Sequence, residues 1–202
     1  EAIILSHFKR HNADVLIGTQ MLAKGLDLPL VTLVGAIMAD VGLNFPDYRA
    51  GERAFQLLTQ VAGRAGRSRL GGRAILQTFQ PEHYAIQYAA GHDFMGFYRA
   101  ELAHRRDLQY PPFSRIIRFE ARDLNHKKAE ERAMDLASHL SELIDDSSDR
   151  TLQMVGPAPP YFGKRSGYYR WQIILKGNQP ELLVNQLKLK GWRIDVNPPS
   201  LL

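Results

Sequence analysis

Apolar residues fall into several rhythms along this chain, and each rhythm predicts a different kind of element. Val15-Leu16-Ile17 and the longer run from Val31 to Met38 are nearly continuous. Such runs, joined by helical segments, predict parallel strands covered on both faces. The first reads as a short buried strand over Asp14–Gln20 that ends in a polar turn. A helix begins near Glu52. Between Pro81 and Arg106 the apolar positions Tyr84, Ile86 and Tyr88, then Phe94, Phe97, Tyr98 and Leu102, recur near helical spacing and predict packing helices. Gln109-Tyr110-Pro111-Pro112-Phe113 then interrupts the pattern. Paired prolines deny helix continuation and favour an extended link, which places a domain boundary between residues 1–110 and 111–202.

Beyond the boundary the elements alternate. Ser114–Arg122 predicts a strand, and His126–Ile144 a helix with Ala129, Ala133, Leu136, Leu140 and Ile144 on one face. Thr151–Val155 and Tyr168–Lys176 predict strands. Pro180 suits the start of a helix running to Lys190, Gly191 its cap, and Trp192–Val196 a last strand. The order βαββαβ is the ferredoxin-like split motif.

Composition narrows the function only a little. The 202 residues carry a formal charge of +5, with 45% hydrophobic and 23% charged residues, enough for two small folded domains. The charge is unevenly spread. Arg64, Arg67, Arg69 and Arg73 lie in an acid-free stretch from Gln60 to Pro81, and Lys164, Arg165, Arg170 and Lys176 in another from Tyr161 to Lys176. Two such stretches suit a polyanion partner. There is no cysteine, so neither disulfides nor thiolate metal sites are present. His7 and His11 are four apart but lack a third ligand, and read as surface residues. No apolar run approaches the ~18 residues that span a bilayer.

The second basic stretch contains Gly163-Lys164-Arg165-Ser166-Gly167-Tyr168-Tyr169-Arg170-Trp171, where basic and aromatic residues interleave. Tyr169, Trp171, Ile173 and Leu175 alternate and are expected to face a core. That leaves Tyr168, Arg170 and Gln172 on the opposite face, with Lys164 and Arg165 in the preceding loop. Such a face suits phosphates and a stacked base, or is simply a solvated loop.

The richest stretch is Gln56–Arg67, which contains Gln60, Gly63, Arg64, Gly66 and Arg67 in the pattern Q-x-x-G-R-x-G-R. If the helix from Glu52 continues through it, Gln60, Arg64 and Arg67 share one stripe. The glycines let packed backbone or ligand come close, and the planar guanidinium fork matches phosphate oxygens. A solvated Gly/Arg-rich helix end is the plainer alternative. The stretch resembles motif VI of superfamily 2 helicases, whose arginines reach the γ-phosphate of ATP and stabilise charge during phosphoryl transfer. Upstream, Ile17-Gly18-Thr19-Gln20-Met21-Leu22-Ala23-Lys24-Gly25-Leu26-Asp27 is similar to motif V, which couples nucleotide to nucleic acid. By that resemblance Thr19 touches a DNA phosphate and Asp27 lies near the ribose or relays from the arginines. Thr19 also suits a helix N-cap, and Asp27 a turn before Pro29.

Taken with GGRAILQTFQPEHYAIQ, YPPFSRIIRFEARD and GPAPPYFGKRSGYYRWQIILKG, the whole chain resembles the PriA (primosomal protein N′) family of bacterial replication-restart helicases. Leu26 stands where that family commonly has histidine. The resemblance implies an α/β fold: the C-terminal part of a RecA-like helicase lobe with a parallel sheet, then a small α+β domain that binds DNA or partners. It implies ATP and Mg²⁺ as cofactors, with zinc only in an upstream cysteine-rich region. Gln60, Arg64 and Arg67 would act at ATP, while Thr19, Gln20, Lys24, Gly25 and Asp27 would couple ATP to DNA. Lys164, Arg165, Tyr168 and Arg170 would bind DNA or a partner. Expected partners are forked, branched and single-stranded DNA, single-stranded DNA-binding protein and primosome components, in the bacterial cytoplasm near the nucleoid. Neither G-x-x-x-x-G-K-[ST] nor an acidic box occurs, so a fragment inactive in ATP hydrolysis by itself is expected. Alternatives are an ATPase-inactive primosome scaffold, or another superfamily 2 fork-remodelling helicase.

Overall fold

A computed structural model describes residues 2–20, 28, 30–65, 71–187 and 189–202. The chain divides into two compact units, one formed by Glu1–Asn44 and Gly51–Tyr98, the other by Phe45–Ala50 and Arg99–Leu202. Among the described residues no helix is long and apolar enough to cross a membrane.

The first unit opens with helix α1 (Ala2–Lys9). His7 and His11 are both exposed, and α1 ends before His11, which has a left-handed backbone (φ 59). Strands β1 (Leu33–Ala36) and β2 (Arg73–Leu76) pair in parallel, Leu33 opposite Arg73 and Ala36 opposite Leu76. Between them runs helix α2 (Ala50–Ala65), whose buried residues Ala54, Phe55, Leu58, Ala62 and Ala65 recur at helical spacing and form one stripe. Helix α3 (Tyr84–Ala90) follows, then helix α4 (Phe94–Asp107), of which the part up to Tyr98 belongs to this unit. Phe55, Leu58, Ala85, Ile86, Ala89 and Phe97 make the core, with the Phe55 and Phe97 rings stacked 4.0 Å apart. Of the positions near helical spacing, Ile86 and Phe97 are buried and Tyr84 and Tyr88 pack against them, whereas Phe94 and Tyr98 are exposed.

The strand expected over Asp14–Gln20 does not form. Residues 15–19 have no regular structure, and Val15 and Ile17 are exposed. A strand apolar on both faces needs neighbours to cover it, and among the described residues the parallel sheet contains β1 and β2 alone.

In the second unit, β3 (Arg115–Asp123) and β6 (Tyr168–Gly177) form the centre of an antiparallel sheet. With β4 (Gln153–Ala158) and β7 (Arg193–Val196) the order is β4-β6-β3-β7, that of the split βαββαβ motif. A short strand, β5 (Lys164–Arg165), folds back on β6 as a hairpin. Helix α5 (His126–Asp145) starts where the Asn125 side chain accepts the Lys128 N–H. It lays Ala129, Ala133, Leu136, Ala137 and Leu140 toward the sheet, where Leu136, Ala137 and Leu140 meet Ile117, Phe119, Ile173 and Leu175. Ile144 packs against the edge of that cluster.

Two elements depart from their sequence pattern. The Pro111-Pro112 segment makes a tight turn, the Phe113 N–H donating to Tyr110 O (3.0 Å), instead of an extended link. The helix expected from Pro180 to Lys190 is only α6 (Glu181–Val184), and tight turns follow it. Leu187 and Leu189 both pack on the core, and residues two apart on an α-helix point to nearly opposite sides. Unwinding lets both reach it.

Candidate nucleic-acid interface

In the first unit, α2 carries Gln60 and Arg64 four residues apart, Gln60 exposed and Arg64 half-buried. That spacing sets them on one face, opposite the buried stripe through Phe55, Leu58 and Ala62. Arg64 occupies the last turn of the helix, where the carbonyl ends favour a cation. Gly63 is also exposed, and nothing lies within 4 Å of a Cβ built there. Among the described residues, packing thus does not require its missing side chain. Thr19 and Gln20 are exposed, at the end of the irregular segment. Lys24, Gly25, Leu26, Asp27, Gly66 and Arg67 lie outside the described residues, so the structure brings together only Gln60 and Arg64 of the two nucleotide-related sets.

Ligands of parallel sheets bind beyond the carboxyl ends of the strands. Beyond β1 and β2 in this unit, the connections are latched to one another. The Ala39 N–H donates to Gln77 O (2.8 Å) and the Gln77 N–H to Ala36 O (2.9 Å). The buried Asp40 carboxylate accepts the Phe79 N–H (3.2 Å). Burial would raise its pKa, but hydrogen bonds from its own N–H, the Phe79 N–H and the Thr78 hydroxyl hold it below the usual carboxylate value. Asp40 thus keeps its charge and fastens two loops. Nothing in the periodicity of the chain signals this role.

In the second unit, the β5–β6 hairpin pairs Lys164 with Tyr169 and Arg165 with Tyr168. Its tip is Ser166-Gly167, both at positive φ (51 and 85), which suits a two-residue hairpin turn. Lys164, Arg165 and Tyr168 are exposed. The Lys164 ammonium lies over the Tyr169 ring, 4.5 Å from its centroid. Arg165 and Tyr168 therefore stand on one face of the hairpin, and Lys164 with Tyr169 on the other.

Arg170 does not join them. It is 3% exposed, and its guanidinium bonds Glu120 Oε2 through Nε (2.8 Å) and Nη2 (2.5 Å) and the Phe162 carbonyl through Nη1 (3.1 Å). Arg122 holds the other oxygen of Glu120. Burial raises the Glu120 pKa, yet bonds and charge from Arg170 and Arg122 outweigh it and keep the carboxyl below its usual range. Alternation along β6 correctly sends Arg170 to the face opposite Trp171, which is buried against Ala121, Ala129 and Ala133. That second face, however, is itself covered. Ile116, Ile174 and Leu201 pack there with Tyr48 and Tyr110, and Lys176 is buried beside the Tyr110 ring (4.7 Å). Among the described residues no group of three or more acidic, histidine or cysteine side chains gathers to hold a metal.

Two family models match the chain: a helicase conserved C-terminal domain over residues 2–69 and a primosomal protein N C-terminal domain over residues 106–199. It is 43% identical over 173 residues to the replication restart protein PriA of Synechocystis sp., covering 86% of this chain and 20% of that protein. It is 40% identical to that of Bacillus subtilis over 185 residues, 92% of this chain and 22% of the relative. For Treponema pallidum the identity is 42% over 196 residues, 97% and 29%. The chain thus spans between a fifth and three-tenths of these curated relatives.

Proposed function

From a chain that belongs to the PriA family of replication restart proteins, we propose a portion of an ATP-driven DNA helicase that recognises stalled or branched forks and restarts replication through primosome assembly. Residues 1–110 supply part of the second helicase lobe, and residues 111–202 a C-terminal domain that binds DNA and partners. The observation that carries this reading is the pairing of Gln60 and Arg64 on the face of α2 opposite its core stripe. In this reading lobe closure on ATP and Mg²⁺ brings Arg64 and Arg67 to the γ-phosphate, where fixed guanidinium charge meets the charge that builds on the transferring group. Gln60 orients the arginines or the attacking water. Thr19, with the neighbouring backbone, holds a DNA phosphate, and Gln20, Lys24, Gly25 and Asp27 link that grip to the nucleotide.

In the C-terminal unit, Lys164, Arg165 and Tyr168 bind DNA or a partner around the hairpin tip, while Arg170 positions the hairpin through the Phe162 and Gly163 carbonyls. Single-stranded DNA-binding protein and primosome components are the protein partners, in the cytoplasm. The 202 residues contain no phosphate-cradling P-loop and no acidic box, so the piece by itself turns over no ATP. The deciding experiment is ATPase activity of the whole protein with and without forked DNA, beside Arg67→Ala. Loss of DNA-stimulated turnover by about 10³-fold or more, the worth of an arginine finger, with fork binding kept, is expected. Tight fork binding without turnover in the unaltered protein would overturn the motor reading in favour of a scaffold.

A further inference from the structure

Just before the β5–β6 hairpin stand two side chains that the basic surface does not use. Tyr161 and Phe162 are 56% and 54% exposed, which a loop built only for packing has no reason to leave in water. Their rings meet edge to face at 4.9 Å, and Tyr161 is braced in the same way by Phe45 at 5.3 Å. The backbone beneath them is held. The Phe162 carbonyl accepts Arg170 Nη1 (3.1 Å), the Gly163 carbonyl accepts the Arg170 N–H (2.8 Å), and Arg170 is clamped to the fully buried Glu120. The rings therefore sit on a rigid support, and little conformational freedom remains to be lost when something docks on them.

Charge says what that is. From Pro159 to Lys176 there is no acidic residue, and Glu120, which Arg170 grips, is buried and engaged by two guanidiniums. Lys164 and Arg165 follow Phe162 within three residues, at most about 10 Å of extended chain. Flat apolar rings beside fixed cations match a ligand that repeats flat faces and negative charges. Duplex DNA buries its base faces in its own stack, whereas a single strand offers them. We infer that Tyr161 and Phe162 form a stacking platform for unpaired bases, with Lys164 and Arg165 on the adjoining phosphates, so that the C-terminal unit holds the single-stranded arm of a fork. This rests on the DNA-handling reading and specifies which structure the unit grips.

The test measures dissociation constants of the 202-residue chain for a fork with an unpaired thymine arm and for the same fork with an abasic arm. The thymine arm is expected to bind about tenfold tighter or more, the range of one or two stacked bases. Phe162→Ala should erase that ratio and Phe162→Trp should keep it, with thermal melting unchanged because the ring is half in water. Lys164→Ala with Arg165→Ala should weaken both arms and flatten the salt dependence, leaving the ratio intact. Equal affinity for the two arms, or a ratio that survives Phe162→Ala, overturns the platform while DNA binding stands. No binding to any fork overturns the DNA-handling reading of this unit as well.

Discussion

Glu120 shows how much one side chain decides. Its carboxylate is wholly buried and holds Arg170 and Arg122, and Arg170 in turn holds the carbonyls under the candidate platform. Its pKa is depressed below the unfolded glutamate value of about 4.3, and that of Asp195 below the unfolded aspartate value of about 3.9, burial being outweighed there by Arg118 and Arg193. A depressed carboxylate contributes its full stability above the unfolded value and loses it as pH falls through the folded one. The melting temperature of this unit should therefore hold from neutral pH down to about 5 and fall steeply below about 4, followed by circular dichroism. Glu120→Gln should blunt that acid step and cost about 3 kcal/mol at neutral pH, because the buried Arg170 guanidinium loses its countercharge. Unchanged neutral stability would show that the arginines find other partners. Gln60 and Arg64 were legible at this scale because helix geometry alone places residues four apart together. The role of Arg170 was not: alternation tells on which side of a strand a residue lies, never whether that side is covered.

Among the elements, those with long and regular patterns formed where the pattern put them. α5, β3 and β6 begin and end within two residues of expectation, because α5 buries one continuous stripe on the sheet and β3 and β6 are its central strands, paired with each other along their length. Short elements followed their surroundings. β2 has four residues and exists through a register with β1, about forty residues earlier, a pairing that local sequence does not encode. The start of α4 depends on a close approach. The Asp93 carboxylate accepts the Gly96 N–H (2.8 Å), and a Cβ on Gly96 would lie 2.3 Å from that carboxylate and 2.4 Å from the Tyr88 ring. Gly96→Ala should therefore destabilise the first unit by about 1–3 kcal/mol, the usual cost of overpacking, despite the better helix propensity of alanine. A denaturant midpoint equal to or above that of the unaltered chain would show that Asp93 and Tyr88 swing aside freely.

The molecule as a whole is not divided the way its chain is read. Phe45–Ala50 lies between β1 and α2 in sequence yet belongs to the C-terminal unit. There the Asp47 carboxylate accepts the Ser200 hydroxyl (2.6 Å) and the Leu201 N–H (3.2 Å), and Tyr48 stacks on Tyr110 and donates to Pro198 O (3.0 Å). Asp47→Ala should release the C-terminal tail at a cost of about 1–3 kcal/mol, read as faster hydrogen exchange at the Leu201 amide. Exchange as slow as before would mean that apolar packing alone holds the tail. By itself the sequence determined the order of elements in the split βαββαβ unit, the placing of Gln60 and Arg64 on one side of a helix, and the family. Helical and strand periods, and the spacing of polar groups on them, arise from backbone geometry among near neighbours. Only the tertiary structure decided that the second sheet face is covered, that Arg170 is a buried support, that Asp40 fastens two loops, and that Tyr161 and Phe162 stay in water. Each of these depends on which distant segments cover a surface, and coverage is settled by the competition of the whole chain for buried area.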